Sequence, residues 1–84
     1  MDYYDYQEGA TAPVKEHKLN LVKLLCDGMD GTDEEVMERA FVIEETARAL
    51  NELTDRYDDT DIVHMQYSDG LNYWEIKLEG EKDA

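Results

Sequence analysis

The sequence predicts an α+β domain in two layers: two helices packed on an antiparallel C-terminal β-hairpin, with a third strand available from the N-terminus. Three observations carry this. Apolar residues recur at helical spacing over about residues 14–26 and again over about 33–57. Asp69-Gly70 stands between two alternating runs, "IVHMQYS" and "LNYWEIKL", and both central residues of a tight hairpin turn need positive φ. A lone hairpin is marginal in water, so it has to cover one face with the helices. The 84 residues supply one core. The boundaries expected are an arm or edge strand at 1–13, the domain at 14–80 and a polar tail at 81–84.

The first 13 residues hold Tyr3, Tyr4 and Tyr6 among acids, then "GATAP". As a strand, Tyr4 and Tyr6 share a face; as a loop-tipped arm, the segment frays. Both readings stand. Pro13 suits the first turn of a helix. In that helix Val14, Lys18, Leu21, Val22 and Leu25 form the inward stripe, widened by Leu19, Leu24 and Cys26, and Gly28 takes the left-handed closing position.

The second helix has the clearest start. Thr32 followed by Glu35 is a capping box, and Asp33 and Glu34 complement the positive helix end. Val36, Ala40, Ile43, Ala47, Leu50, Thr54 and Tyr57 then alternate spacings of four and three, which predicts one unbroken helix to about residue 57. "DDTD" at 58–61 ends it. A two-residue turn at Asp69-Gly70 pairs Met65 with Trp74 and Val63 with Ile76 on the apolar face, and His64 with Glu75 on the other.

Charge narrows the function classes. The chain carries 22 acids and 8 bases, a formal net charge of −14. Bare nucleic acid and anionic lipid should repel it, and basic protein surfaces should attract it. Residues 27–61 hold 13 of the acids against 3 bases, so the excess is concentrated there. Adaptation to high salt would spread the acids more evenly. No run of about 18 apolar residues is present to span a membrane. The acidic start "MDYYDYQEG" has no signal-peptide pattern, and the single cysteine, Cys26, has no internal disulfide partner. A reducing cytoplasm is the expected location.

Chemistry-bearing motifs are scarce. "DGMDGTDEE" invites a calcium-loop reading that fails on position. With Asp27 first, Met29 and Thr32 fall where a ligand and a glycine are required. With Gly31 sixth, Cys26 is first and Met37 twelfth. His17 and Cys26 fall on the first helix and His64 on a strand, and Cys26 reads as a small buried residue. His64 beside Glu75 reads as a cross-strand pair rather than a base with its orienter. No catalytic, metal or cofactor site is expected.

The acids of the second helix are the informative feature. At about 100° per residue, Glu34, Glu38, Glu45 and Glu52 fall within about 40° of one another, opposite the predicted core stripe. Successive gaps are roughly 6, 10 and 10 Å, compatible with phosphate spacing though not a match to it. An ordinary solvated face interleaves bases at i+4, whereas here Arg48 only flanks the stripe. Relieving that self-repulsion with Glu38→Lys and Glu45→Lys is expected to leave the domain at least as stable. Phe41 and Met37 lie at the edge of the stripe, either under the first helix or as apolar anchors in an acidic contact surface.

No family's motifs are matched. The composition has the general character of small acidic inhibitors, such as phage-encoded proteins that occupy a nucleic-acid-binding groove. The leading expectation is a non-enzymatic inhibitor that binds the basic surface of a DNA- or RNA-handling protein, without touching nucleic acid or membrane itself. Its contact residues would be Glu34, Glu38, Glu45, Glu52 and Phe41, then Asp55, Asp58, Asp59 and Asp61, with Tyr3, Tyr4 and Tyr6 of the arm. The alternative is a small adaptor or regulatory subunit that binds through an apolar surface, its charge serving solubility.

Overall fold

Two long helices lie on a three-stranded antiparallel sheet of order β1-β2-β3, the two-layer α+β arrangement expected. The structure, a computed structural model, describes residues 3–68 and 70–80, with side chains from Asp5 onward. The elements are α1 (Tyr3–Gln7), β1 (Ala10–Pro13), α2 (Val14–Gly28), α3 (Asp33–Glu38), α4 (Ala40–Arg56), β2 (Ile62–Ser68) and β3 (Tyr73–Leu78).

The third strand exists, but not where the tyrosines are. "YYDYQ" coils into α1, and "ATAP", read above as a loop, pairs with β2, Ala10 opposite Met65 and Pro13 opposite Ile62. Edge position explains the proline, because Pro13 has no N–H to offer a further strand. α1 sends Tyr6 into the core, where it is fully buried. Gly9 makes the bend possible. Its φ is +86°, and a Cβ there would stand 2.8 Å from the His64 ring.

α2 starts after Pro13 without a side-chain cap. Instead, the N–H groups of Val14 and Lys15 donate to the carbonyls of Asp61 and Asp59, at 2.8 and 3.1 Å. The turn at 58–61 therefore satisfies the helix end that the sequence leaves uncapped. The inward face of α2 is Val14, His17, Asn20, Leu21, Leu24 and Gly28. Three expectations are corrected here. Val22 and Leu19 are exposed, and so is Cys26. Gly28 does not adopt positive φ; it is a packing site, with Ile43 Cγ1 3.1 Å from the place a Cβ would occupy.

The second predicted helix is two. α3 ends at Arg39, whose φ and ψ are −94° and 3°, and α4 restarts with a shifted face. Thr46, Ala49 and Leu53 are buried, with Val42, Leu50 and Tyr57 packed beside them. Ala40 and Thr54, placed inside by the periodicity, are exposed. Both stripes have helical spacing. Tertiary contacts chose the one that carries Thr46, whose hydroxyl accepts from the Trp74 indole N–H at 3.1 Å.

The hairpin holds the expected faces in a different register. Tyr67 pairs with Trp74, Met65 with Ile76 and Val63 with Leu78, so the connection spans 69–72 instead of two residues. Asp69 lies outside the described residues; Asn72 takes the positive φ, 54°. A shift of two preserves which side chains face inward, so alternation alone cannot detect it. Ring contacts fit the observed register. Trp74 meets Tyr67 and Tyr6 edge-on, with centroids 5.3 and 4.9 Å away. His64 consequently faces Lys77, and Glu75 faces Gln66, which removes the expected His64–Glu75 pair.

Candidate functional site

Two polar arrangements inside the domain bear on whether it does chemistry. The first is His17, fully buried on α2. Its Nε2–H donates to the Val63 carbonyl at 2.6 Å, leaving Nδ1 to accept the Tyr6 hydroxyl at 3.2 Å. That is the bonding pattern of a neutral imidazole. Desolvation holds the His17 pKa below its ordinary value, against the Val63 carbonyl and the Glu16 charge, which favour protonation. Burial raises the Tyr6 pKa, opposed by a hydrogen bond from Asn20. With both ring nitrogens engaged in the core, His17 is an internal fastener of α1, α2 and β2. This role is not legible in the sequence, because a histidine one turn into a helix reads equally well as a surface residue.

The second is an open cleft of about 580 Å³ beside β3, with Arg48, Glu52, His64, Glu75 and Lys77 among its lining. His64 Nδ1 bonds the Thr11 hydroxyl at 2.8 Å. Charges of both signs face one another across open solvent, and no carboxylate there sits in an apolar pocket of the kind acid–base chemistry needs. Among the described residues, no group of three or more His, Cys, Asp or Glu side chains could hold a metal ion. None of the described helices is long and apolar enough to cross a membrane.

The acidic surface is built differently from the predicted stripe. The break at Arg39 separates Glu34 and Glu38 on α3 from Glu45 and Glu52 on α4. On α4 the pair is not bare. Arg48 bridges Glu45 and Glu52 at 2.8 and 3.4 Å, and Arg56 reaches Glu52 at 2.7 Å. The shifted core face also draws Glu45 and Glu52 in, their side chains only 22% and 25% exposed. Glu45 and Glu52 are thus part of a surface ion-pair network.

Asp59 and Asp61 are likewise committed. Asp59 bonds Lys18 at 2.7 Å, which lowers its pKa below the ordinary carboxylate value. Asp61 accepts the Asp58 N–H at 2.9 Å. Asp55 and Asp58 are exposed. Tyr6, expected in a docking arm, belongs to the core; the side chains of Tyr3 and Tyr4 lie outside those described.

What remains open is a lobe formed by the α2–α3 turn, α3 and the start of α4. Asp27, Asp30, Asp33, Glu34, Glu35, Glu38 and Glu44 are all exposed there. The ion pairs among the described residues involve none of these seven. The capping box forms as expected: the Thr32 hydroxyl accepts the Glu35 N–H at 3.3 Å, and the Glu35 carboxylate accepts from Thr32. Those bonds to Thr32 also lower the Glu35 pKa. Arg39, the lobe's one base, points its guanidinium at backbone, donating to the carbonyls of Glu35, Asp27 and Asp30. It clamps the turn to α3 and leaves the carboxylates facing solvent. Met37 and Phe41 stand out of this surface, 74% and 66% exposed. Neither packs under α2.

No protein-family model matches the chain, and no curated protein or solved structure shows significant similarity to it.

Proposed function

We propose that this protein is a non-enzymatic binding protein whose acidic lobe docks on the basic surface of a DNA- or RNA-handling protein and excludes nucleic acid from it. One observation supports this above the others: seven exposed carboxylates, none in an ion pair among the described residues, share a lobe with two exposed apolar side chains, Met37 and Phe41. Carboxylates steer the encounter with lysines and arginines, and large apolar side chains at the centre supply affinity once water is excluded. The working residues are Glu34, Glu38, Met37 and Phe41, with Asp30, Asp33 and Glu44 around them. Asp55 near the end of α4 and Asp58 in the turn after it extend the negative field.

The test is capture from a lysate on immobilised protein, with and without competing double-stranded DNA, against a Glu34→Lys, Glu38→Lys control. A nucleic-acid-handling protein retained by the parent, displaced by DNA and lost with the control is the result expected. Retained proteins that ignore both DNA and the charge reversal overturn the reading.

A specific observation favours the second reading, an adaptor. Leu19, Val22, Cys26 and Met29 recur at spacings of three, four and three on the outer side of α2, all exposed. That is a helix-docking stripe in spacing. The same capture distinguishes it: a partner held by this face survives DNA and the α3 reversal, and is lost with Val22→Asp.

A further inference from the structure

Among the described residues, the sheet order β1-β2-β3 leaves one side of β3 without a neighbouring strand. The Glu79 N–H donates to the Ile62 carbonyl at 2.8 Å, which makes that facing pair a hydrogen-bonded one. Antiparallel pairs alternate, so Tyr73, Glu75 and Lys77 also bond toward β2. The backbone groups of Trp74, Ile76 and Leu78 therefore point away from the sheet. Such an edge is a template for another strand. An open cleft lined by Arg48 and Glu52 of α4 and by Trp74, Glu75, Ile76 and Lys77 lies beside β3.

From this edge we infer that two copies of the chain associate by antiparallel pairing of β3 with β3 about a two-fold axis at Ile76, making a six-stranded sheet. The charges that flank Ile76 complement a second copy in this register. Centring on Ile76 sets Glu75 opposite Lys77 of the second copy, and Lys77 opposite its Glu75. Both side chains are exposed on the face away from the helices. Centring on Glu75 or Lys77 instead would set like charges directly opposite, which is unfavourable. Centring on Ile76 also aligns Trp74 with Leu78 on the helix-facing side, so the half-exposed Ile76 and Leu78 gain apolar cover. The contact is isologous and closes at two copies. It is independent of the acidic lobe, and either proposal can fail alone.

The test uses the full chain at about 0.2 M salt, where repulsion between two acidic copies is screened within about 8 Å. Sedimentation from micromolar to millimolar concentration should show a monomer–dimer equilibrium. Amide exchange at Trp74, Ile76 and Leu78 should slow as concentration rises. Glu75→Lys alone, or Lys77→Glu alone, should weaken association about tenfold or more by opposing like charges twice. The double exchange, Glu75→Lys with Lys77→Glu, should restore it. A chain monomeric at millimolar concentration overturns the inference. So does a dimer indifferent to Glu75→Lys, or a loss that the double exchange fails to repair. The amide exchange of the parent decides the matter even if a variant folds poorly.

Discussion

His17 shows how a single buried group sets a pH response. Its pKa is depressed in the fold by desolvation, relative to 6.5 for a free histidine. The unfolded chain then binds a proton more readily than the folded one between those two values. The stability contributed by neutral His17 is fully present above about pH 6.5 and is lost as pH falls toward the folded value. Imidazole titration by NMR should place the His17 midpoint below 6.5; a midpoint at or above it would contradict the neutral ring bonded to Tyr6 and Val63. Gly9 makes a second residue-scale prediction. Gly9→Ala meets both positive φ and the His64 ring at 2.8 Å, so it should cost more than about 1 kcal/mol. Chemical denaturation of the variant checks this, and an unchanged midpoint would mean that β1 is entered by another path. Neither role was visible in the sequence, where a glycine before "ATAP" and a histidine in a helix have many ordinary explanations.

Elements explain most of what the sequence did and did not disclose. The capping box at Thr32 and Glu35 was legible because it is local, requiring only residues three apart. The inward faces of the hairpin were legible because side-chain alternation survives a two-residue slip. The register, the break at Arg39 and the phase of α4 were not, because each depends on a distant partner: Tyr67 against Trp74, Arg39 on the Asp27 and Asp30 carbonyls, Trp74 on Thr46. The shift in phase also revises the expected effect of charge reversal. Glu38 is exposed and in no ion pair among the described residues, so Glu38→Lys should leave stability unchanged or slightly raised. Glu45→Lys removes the bond to Arg48 and sets two cations together, so it should cost up to about 1 kcal/mol, a small value for a partly exposed pair. Paired melting curves test this, and equal effects would indicate that the α4 network contributes nothing. Thr32→Ala should lower stability by about 1 kcal/mol through loss of the cap. Amide exchange should quicken at residues 33–36; unchanged exchange there would show that Arg39 alone holds the turn.

At the scale of the whole molecule, the charge is divided by use. Glu45 and Glu52 of α4 and Asp59 and Asp61 of the 58–61 turn are drawn into ion pairs and backbone bonds. Those of the α2–α3 turn and α3 are left to solvent around Met37 and Phe41. This division is why a stripe drawn on an unbroken helix put Glu34 and Glu38 on the open surface but took the ion-paired Glu45 and Glu52 as bare. A net charge of −14 creates a field that accelerates encounter with a basic partner and weakens steeply with salt. The most direct test of the proposed function is therefore the association rate with the captured partner, measured between roughly 50 and 300 mM salt, a range over which screening shortens severalfold. The rate should fall steeply with salt, and Glu34→Lys with Glu38→Lys should slow it about tenfold or more at the low end while the fold is retained. A rate that is flat with salt and equal for parent and variant would contradict an acidic docking surface on α3.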